Sequence, residues 1–394
     1  MIRSETGRLP LDYGNIAFLV GTPLAALLGA SWSVYHYGFV WFDLFHAIVW
    51  YLITGLAVTG GYHRYYAHRS YECGRPLQLY HLVLGAAAAE NSVLNWAADH
   101  RFHHRFVDTD KDPYNILRGF FYAHIGWVFY QETRSPYERY RNVPDLLKDP
   151  LVRWQDRWYP FLVVLMAFVA PTLVGAAFGR PLAGLIWGGF VRIVIVQHMT
   201  FLINSAAHFF GPRPYALDNT ARDNWWLGPI TFGEGYHNFH HKFQADYRNG
   251  VRWYQFDLTK WFVLAMRGMG LAWRLKRTPE PLILKARLEV EMQRVENRLA
   301  AIGASERLWT KIQSRLLAGR SRFEQAMRAY QHARVEYRSQ KRRPGASGEI
   351  HRQWAAQLRH YRRELSEARK RWTGLIESLN RLPNSSPQGL SSGA

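Results

Sequence analysis

Four long apolar stretches break up an otherwise polar chain, and each predicts a membrane-spanning helix. Residues 14–33 (GNIAFLVGTPLAALLGASWS) and 160–178 (PFLVVLMAFVAPTLVGAAF) carry no charge. Residues 39–61 carry only Asp43, and residues 183–205 only Arg192. Each stretch is close to the ~20 residues that cross a bilayer core. Trp and Tyr gather at their ends, as interfacial anchors do. No Arg-rich n-region precedes the first stretch and no A-x-A cleavage site follows it, so it is read as a retained span.

The linkers 34–38 and 179–182 are so short that the spans must pair as two tight hairpins. Residues 62–159 between the hairpins are long, polar and charged. Within them, residues 77–95 are apolar but hold Glu90 and Asn91, and read as one buried or interfacial helix that does not cross. This topology puts the N-terminus, the 62–159 segment and everything after 206 on one side. Their many Arg and Lys, against one Arg in the opposite loops, predict that this side is the cytoplasm. The expected setting is multi-pass insertion in a bacterial inner membrane, with any active site on the cytoplasmic face.

The pattern changes after 281. Residues 281–341 and 350–380 are rich in Arg, Glu, Gln and Ala with spaced Leu, Val, Ile and Trp, interrupted by Gly303 and by Pro344-Gly345-Ala346-Ser347-Gly348. This predicts a helical hairpin or short coiled coil, followed by a disordered tail at 383–394. The expected fold is all-α: four transmembrane helices with a cytoplasmic helical cap, then a C-terminal basic helical hairpin. The expected domains are 1–280, 281–382 and the tail 383–394.

Composition narrows the classes. Apolar residues are 48% and aromatics 15%, which excludes a disordered or collagen-like chain. The net charge is +20, and residues 281–394 hold 23 Lys+Arg against 10 Glu, or +13 of it. Such an arm is either a solvated helical surface or one that lies on anionic lipid headgroups or docks an acidic electron carrier. No nucleic-acid motif accompanies the charge, so no nucleic-acid partner is expected. The single Cys73 excludes an internal disulfide or a cysteine-based zinc cluster.

The chemistry is carried by histidines, of which 14 of 17 lie before residue 242. Nine form four groups: His63 and His68 as HxxxxH at the end of the second span; His100, His103 and His104 as HxxHH; the lone His208 after the fourth span; and His237, His240 and His241 as a second HxxHH. On a helix the first histidine of an HxxHH shares a face with both later ones. The two adjacent ones point about 100° apart, so one motif can serve two metals. HxxxxH spans about 140° on an ideal helix and converges best where a helix end unwinds. Nine imidazoles exceed the six positions of one ion, so two metals are the economical count. No HExxH is present, which argues against zinc hydrolysis and for iron and oxygen chemistry. The other eight histidines (36, 46, 81, 124, 198, 332, 351 and 360) read as ordinary structural residues.

From about residue 40 to 275 the chain resembles the membrane fatty-acyl desaturases of the stearoyl-CoA Δ9-desaturase type. The resemblance includes Asp108-Thr109-Asp110-Lys111-Asp112-Pro113-Tyr114-Asn115, Arg118-Gly119-Phe120-Phe121, His124-Ile125-Gly126-Trp127, Asp145-Leu146-Leu147-Lys148-Asp149-Pro150 and Asp246-Tyr247-Arg248-Asn249-Gly250. It also includes Asn204-Ser205-Ala206-Ala207-His208 and Gly233-Glu234-Gly235-Tyr236-His237-Asn238-Phe239-His240-His241. It implies two Fe²⁺ ions held by His63, His68, His100, His103, His104, His208, His237, His240 and His241, with Asn204 near one metal through a water. It implies an O₂-dependent oxidoreductase that takes two electrons from outside and leaves a cis double bond, at Δ9, in a saturated acyl chain, with acyl-CoA as the expected substrate form. The second and fourth spans would wall an apolar tunnel, with Trp96, Asn91 and Asp99 lining its bend and Tyr51 plugging its far end.

Departures matter. Animal members have Gln-Asn-Asp, then Trp-Ala-Arg-Asp; here Glu90-Asn91-Ser92 and Trp96-Ala97-Ala98-Asp99 stand instead. A basic pair expected after Trp127 is Gln131-Glu132. Both weaken CoA-phosphate binding in the animal manner, unless Arg118, Arg134 or Arg139 substitutes. Acyl-lipid and acyl-carrier-protein substrates stay open, as does a histidine-box hydroxylase; a catalytically silent membrane scaffold is disfavoured by the complete histidine set. No HPGG cytochrome b5 signature occurs, so a separate carrier such as ferredoxin, rubredoxin or cytochrome b5 with its reductase is implied, alongside membrane lipid.

Overall fold

A computed structural model describes residues 9–341 and 348–381. The tail expected at 383–394 and most of the expected break at 344–348 lie outside the described residues. Chain contacts divide the molecule into two compact units, Met1–Thr278 and Pro279–Ala394.

Four helices of the first unit are long and apolar enough to cross a membrane: α1 (Tyr13–Tyr37), α2 (Trp41–Ala67), α5 (Pro150–Ala177) and α6 (Pro181–Phe209). Asp12 starts α1 by accepting from the Asn15 N–H at 2.9 Å, and Gly38, at φ +67°, ends it. Leu27 and Leu28 on α1 are 66% and 67% exposed, an apolar face suited to lipid. The α5–α6 hairpin closes on glycine: a Cβ on Gly175 would lie 2.6 Å from the Arg180 carbonyl and 2.7 Å from Gly184 Cα. Arg180 in that turn clamps Asp43, at the start of α2, with two bonds of 2.7 and 2.8 Å.

The fully buried Arg192 of α6 donates to the carbonyls of Gly188, Ala87 and Ala167. A cation at membrane depth persists only when it is satisfied in this way. The same contacts explain a departure from expectation. Residues 77–95 do not form one helix; they form α3 (Arg75–Ala86), a turn, and α4 (Val93–Phe106). Arg192 takes the Ala87 carbonyl, and Gln197 takes those of Ala88 and Ala89, in place of a continuing helix. The turn then bends through left-handed Ala89 (φ +54°) and Asn91 (φ +84°), and Gln155 caps the Val93 N–H at 3.0 Å.

Short helical segments, among them Phe120–His124, Pro136–Tyr140 and Pro144–Lys148, lead from α4 to α5, and α7 (His237–Lys242) and α8 (Leu258–Gly268) come after α6. One two-stranded antiparallel pair, Glu72–Cys73 with Ala272–Trp273, ties the end of the unit to the residues just after α2.

The described residues of the second unit form α9 (Glu280–Ala301), α10 (Glu306–Lys341) and α11 (Gly348–Asn380). Gly303, at φ +61°, separates the first two. Ile312, Leu316 and Phe323 of α10 pack with Trp372 and Leu379 of α11 and Leu288 and Val295 of α9. These are the spaced apolar positions of the sequence, now one core.

Candidate metal centre

The nine histidines of the four motifs converge into two clusters. His63, His68, His100, His104 and His240 form one, and His103, His208, His237 and His241 the other. Within each, one ring nitrogen per residue lies within 4.8 Å of all the others. None of the remaining histidines joins either cluster among the described residues.

Each motif reaches its place by a different device. The end of α2, Ala57–Ala67, is wound as a wide π-helix instead of unwinding. Its hydrogen bonds join residues five apart, and the His68 N–H meets the His63 carbonyl at 3.1 Å. HxxxxH therefore lies on one face, with ring centroids 4.8 Å apart. On α4, His100 and His104 share a face and enter the five-histidine cluster, while His103 turns to the other. On α7 the arrangement is exchanged: His237 and His241 enter the four-histidine cluster and His240 crosses back. His104 and His241, one from each cluster, stack at 4.2 Å with 17° between planes. Arg101 braces this by donating to the Tyr66, Ala67 and Asn142 carbonyls and to Asp145.

The nitrogens are poised as ligands rather than as hydrogen-bond partners. Nε2 atoms face one another at 2.9 Å (His63–His240), 2.8 Å (His68–His100) and 3.0 Å (His104–His240). In the second cluster His237 Nε2 lies 3.1 Å from those of His208 and His241. Carboxylates stand behind two of the rings. Glu234 Oε2 is 2.9 Å from His63 Nδ1, and Asp112 Oδ1 is 2.8 Å from His103 Nδ1. Carboxylates only accept, so Nδ1 of His103, hydrogen-bonded to Asp112, carries a proton and turns Nε2 inward. Glu234 approaches His63 Nδ1 as an ion-pair contact without hydrogen-bond geometry. His103 Nε2 is buried with no hydrogen-bond partner. Burial, and then the neighbouring imidazoles, hold His68, His100, His104, His237, His240 and His241 well below the usual histidine range, so all are neutral. Neutral lone pairs crowded together are stable once a cation lies between them. The nearest contacts, 2.8 to 3.1 Å, bring the nitrogens of each cluster close enough to share one cation.

The residues expected around the substrate fare differently. Trp96 stacks on His100 at 4.8 Å and meets His63 edge-on at 6.0 Å. Its indole N–H donates to Glu90, which also accepts from Thr200 at 2.8 Å. Burial pushes the Glu90 carboxyl up to about 7, against the pull of those two bonds. Asn91 belongs to the α3–α4 turn, where its N–H donates to Tyr159 and its side chain accepts from Ser92 and Asn95. Asp99 is bound by Arg134 and Arg139, which also hold Glu132. Tyr51 donates to the Ile230 carbonyl and packs on Phe232. Asn204 is the last residue of the helical run before the Ser205 break in α6, and no hydrogen bond joins it to either cluster.

Sequence reasoning assigned no role to the outer partners. Arg64, inside the first motif, is fully buried and binds Glu234 and Asp257 at 2.9 Å each. Burial works against charge on Glu234, but His63 and Arg64 hold its carboxyl below the usual range. Asp112 and Glu234 lie in blocks that the sequence marked as similar to a family; only their position in space shows what they touch.

A mostly helical protein with four helices able to cross a membrane and two adjacent all-histidine clusters belongs to the class of membrane proteins with a histidine-motif metal site. Residues 39–276 match the family model of fatty acid desaturases, and the chain belongs to that family. It is 41% identical to acyl-CoA desaturase 1 of Saccharomyces cerevisiae over 65% of this chain and 50% of that protein. It is 40% identical to stearoyl-CoA desaturase 5 of Homo sapiens, over 69% of this chain and 80% of the relative. It is 34% identical to the sn-1 stearoyl-lipid 9-desaturase of Anabaena variabilis, over 68% of this chain and 94% of that one. The chain spans half the length of the Saccharomyces relative. With four apolar helices and this family, it is a multi-pass membrane protein.

Proposed function

We propose that the chain is an O₂-dependent di-iron fatty-acyl desaturase that introduces a cis double bond, at Δ9, into a saturated acyl chain carried as acyl-CoA. The observation that carries this reading is the pair of buried all-histidine clusters in a chain of this family. His63, His68, His100, His104 and His240 would hold one iron, and His103, His208, His237 and His241 the other, with Asn204 near a metal only through water. When bound, two irons supply the reduction of O₂ to water with two external electrons and two protons, and the oxidation of a CH₂–CH₂ to CH=CH.

The protein's part is positioning. Asp112 would keep a proton on the outer nitrogen of His103 and so present the inner one, and Glu234 stands 2.9 Å behind His63. Trp96, packed on His100, would bear on the acyl chain where it passes the metals. Glu90 and Thr200 hold the indole. Tyr51 anchors the 230–232 segment to α2 and thereby bounds the far end. The electrons come from a separate carrier of the ferredoxin, rubredoxin or cytochrome b5 kind. The clusters face the cytoplasm, on the charge argument above. Residues 1–280 would be the catalytic membrane domain and 281–382 a basic accessory arm.

A second reading of the substrate rests on the charges near Asp99. Arg134 and Arg139 are spent on Asp99 and Glu132, two cations against two carboxylates. Arg118 is exposed and lies over Tyr122. Arg134 and Arg139 thus leave little free positive charge for CoA phosphates, and this favours a lipid-linked acyl chain, although Arg118 pairs with no carboxylate among the described residues.

The test is gas chromatography–mass spectrometry of fatty-acid methyl esters from a desaturase-deficient host expressing the chain. A new cis monoene, located by derivatisation, is expected. A hydroxylated acid would move the assignment to a hydroxylase. Vesicles reconstituted with donor and offered stearoyl-CoA or a stearoyl phospholipid separate the two substrate forms.

A further inference from the structure

Side chains of other elements stand against Nδ1 of His63, His103 and His208, and the contact at His208 is unlike the other two. His63 and His103 each face a carboxylate. His208 Nδ1 lies 2.8 Å from the Thr220 hydroxyl, and a hydroxyl can donate or accept. Taken alone, Thr220 would leave both tautomers of His208 open.

Asp108 removes the ambiguity. Its two carboxylate oxygens lie 2.6 Å from Thr220 Oγ1 and 2.6 Å from Thr220 N. A carboxylate only accepts, so the single hydroxyl proton of Thr220 is committed to Asp108. The hydroxyl oxygen is then left as an acceptor toward His208. His208 must carry its proton on Nδ1 and present a bare Nε2, 3.1 Å from that of His237. The chain of bonds has one direction: His208 Nδ1–H to Thr220 Oγ1, and Thr220 O–H to Asp108.

The loop is built for this task. Asp108 sits in the left-handed region at φ +62°, a conformation that Asp and Asn tolerate best among residues other than glycine. Its own N–H donates to Asp112 Oδ2 at 3.1 Å, while Asp112 Oδ1 holds His103. One short loop therefore supplies the outer support of two ligands of the four-histidine cluster, one directly and one through Thr220. His208 needs it most. It has no second motif histidine beside it in sequence and stands on the stub of α6 beyond the Ser205 break.

We propose that Asp108 and Thr220 are positioning residues for the four-histidine metal site, setting the tautomer and ring orientation of His208 by a one-way hydrogen-bond relay. This rests on the di-metal reading above. Removing such an outer partner costs about 10–100-fold in metal affinity.

The experiment uses full-length protein in detergent loaded with ⁵⁷Fe. Iron per chain is measured after dialysis against a graded chelator, and the two sites are followed by Mössbauer spectroscopy. Asp108→Asn keeps the left-handed backbone and the shape of the side chain. Its amide would donate to the Thr220 oxygen and turn the hydroxyl proton toward His208, forcing the proton onto Nε2. Retention of one iron with a 10–100-fold weaker second, and loss of one quadrupole doublet, is expected. Thr220→Val should weaken the same site, Thr220→Ser should match the parent, and Asp110→Asn on the exposed side of the loop should change nothing. Parental protein with two irons and an Asp108→Asn variant with unchanged affinity and spectrum would overturn the relay alone. So would equal losses in Thr220→Ser and Thr220→Val, a comparison that holds even where Asp108→Asn does not fold. Parental protein that binds no iron would overturn the metal reading, and the relay with it.

Discussion

The two histidine clusters draw on the same motifs but are supported in opposite ways. The five-histidine cluster is backed by Glu234, whose charge is balanced by the fully buried Arg64 and which also accepts from Asn249 at 2.6 Å. Arg64 in turn binds Asp257, which receives the N–H groups of Asn249, Gly250 and Lys260. That support is a buried network spread over α2, α7's approach and α8. The four-histidine cluster leans on a single turn, with Asp112 under His103 and Asp108 reaching His208 through Thr220. One site is held by paired charge in the interior. The other is held by two carboxylates of one turn, Asp108 and the buried Asp112, that meet N–H and O–H donors. Identical ligands in unequal surroundings are a means of giving two metals different properties.

The sharpest break of this comparison is to delete one ligand from each side. His240→Ala should empty the five-histidine site and His103→Ala the four-histidine site, each lowering turnover by more than about 100-fold, beyond the loss from an outer partner. Metal counting and Mössbauer spectra should show different doublets surviving in the two variants; loss of the same doublet in both would refute the partition. Next is Arg64→Leu, which leaves Glu234 and Asp257 buried without their cation. Breaking such a pair costs about 3–5 kcal/mol, read as a lowered Tm in detergent, whereas Asp112→Asn should leave Tm nearly unchanged and weaken metal binding.

A smaller effect comes from pH. His68, His100, His104, His237, His240 and His241 are held below their usual range, so the unfolded chain binds protons near pH 6.5 that these residues refuse in the folded, metal-free protein. Stability of the chelated protein should therefore rise with pH across that value and fall below it; melting scans at pH 5.5 and 7.5 check the sign. Iron-loaded protein should resist the fall until the ligands are protonated away from the metal. The smallest effect expected is from removing residues 279–394. The last clustered ligand is His241, so metal content and turnover should match the full chain, and a loss of either would assign the basic arm a part in the site.

Much of this was legible in the sequence because the signals are local. Span length and charge follow from bilayer thickness, and the four helices occur where the apolar runs are, although α5 begins at Pro150, ten residues before its uncharged core. HxxHH announces a shared helix face by spacing alone. The α3–α4 turn was illegible. A run that looks continuous from 77 to 95 is broken by Arg192 and Gln197, more than a hundred positions away. HxxxxH was half legible: its convergence was expected, but the π-winding that achieves it was not.

The sequence by itself determined that this is a helical membrane chain with nine histidines spaced for two metals, because period, length and ligand type act over a few residues. Only the tertiary structure decided which histidines share a site, that His103 and His240 cross between clusters, and that Glu234, Asp112 and the Asp108–Thr220 pair stand behind the ligands. Those choices depend on how α2, α4, α6 and α7 meet, and contacts spanning more than a hundred residues leave no periodic trace along the chain.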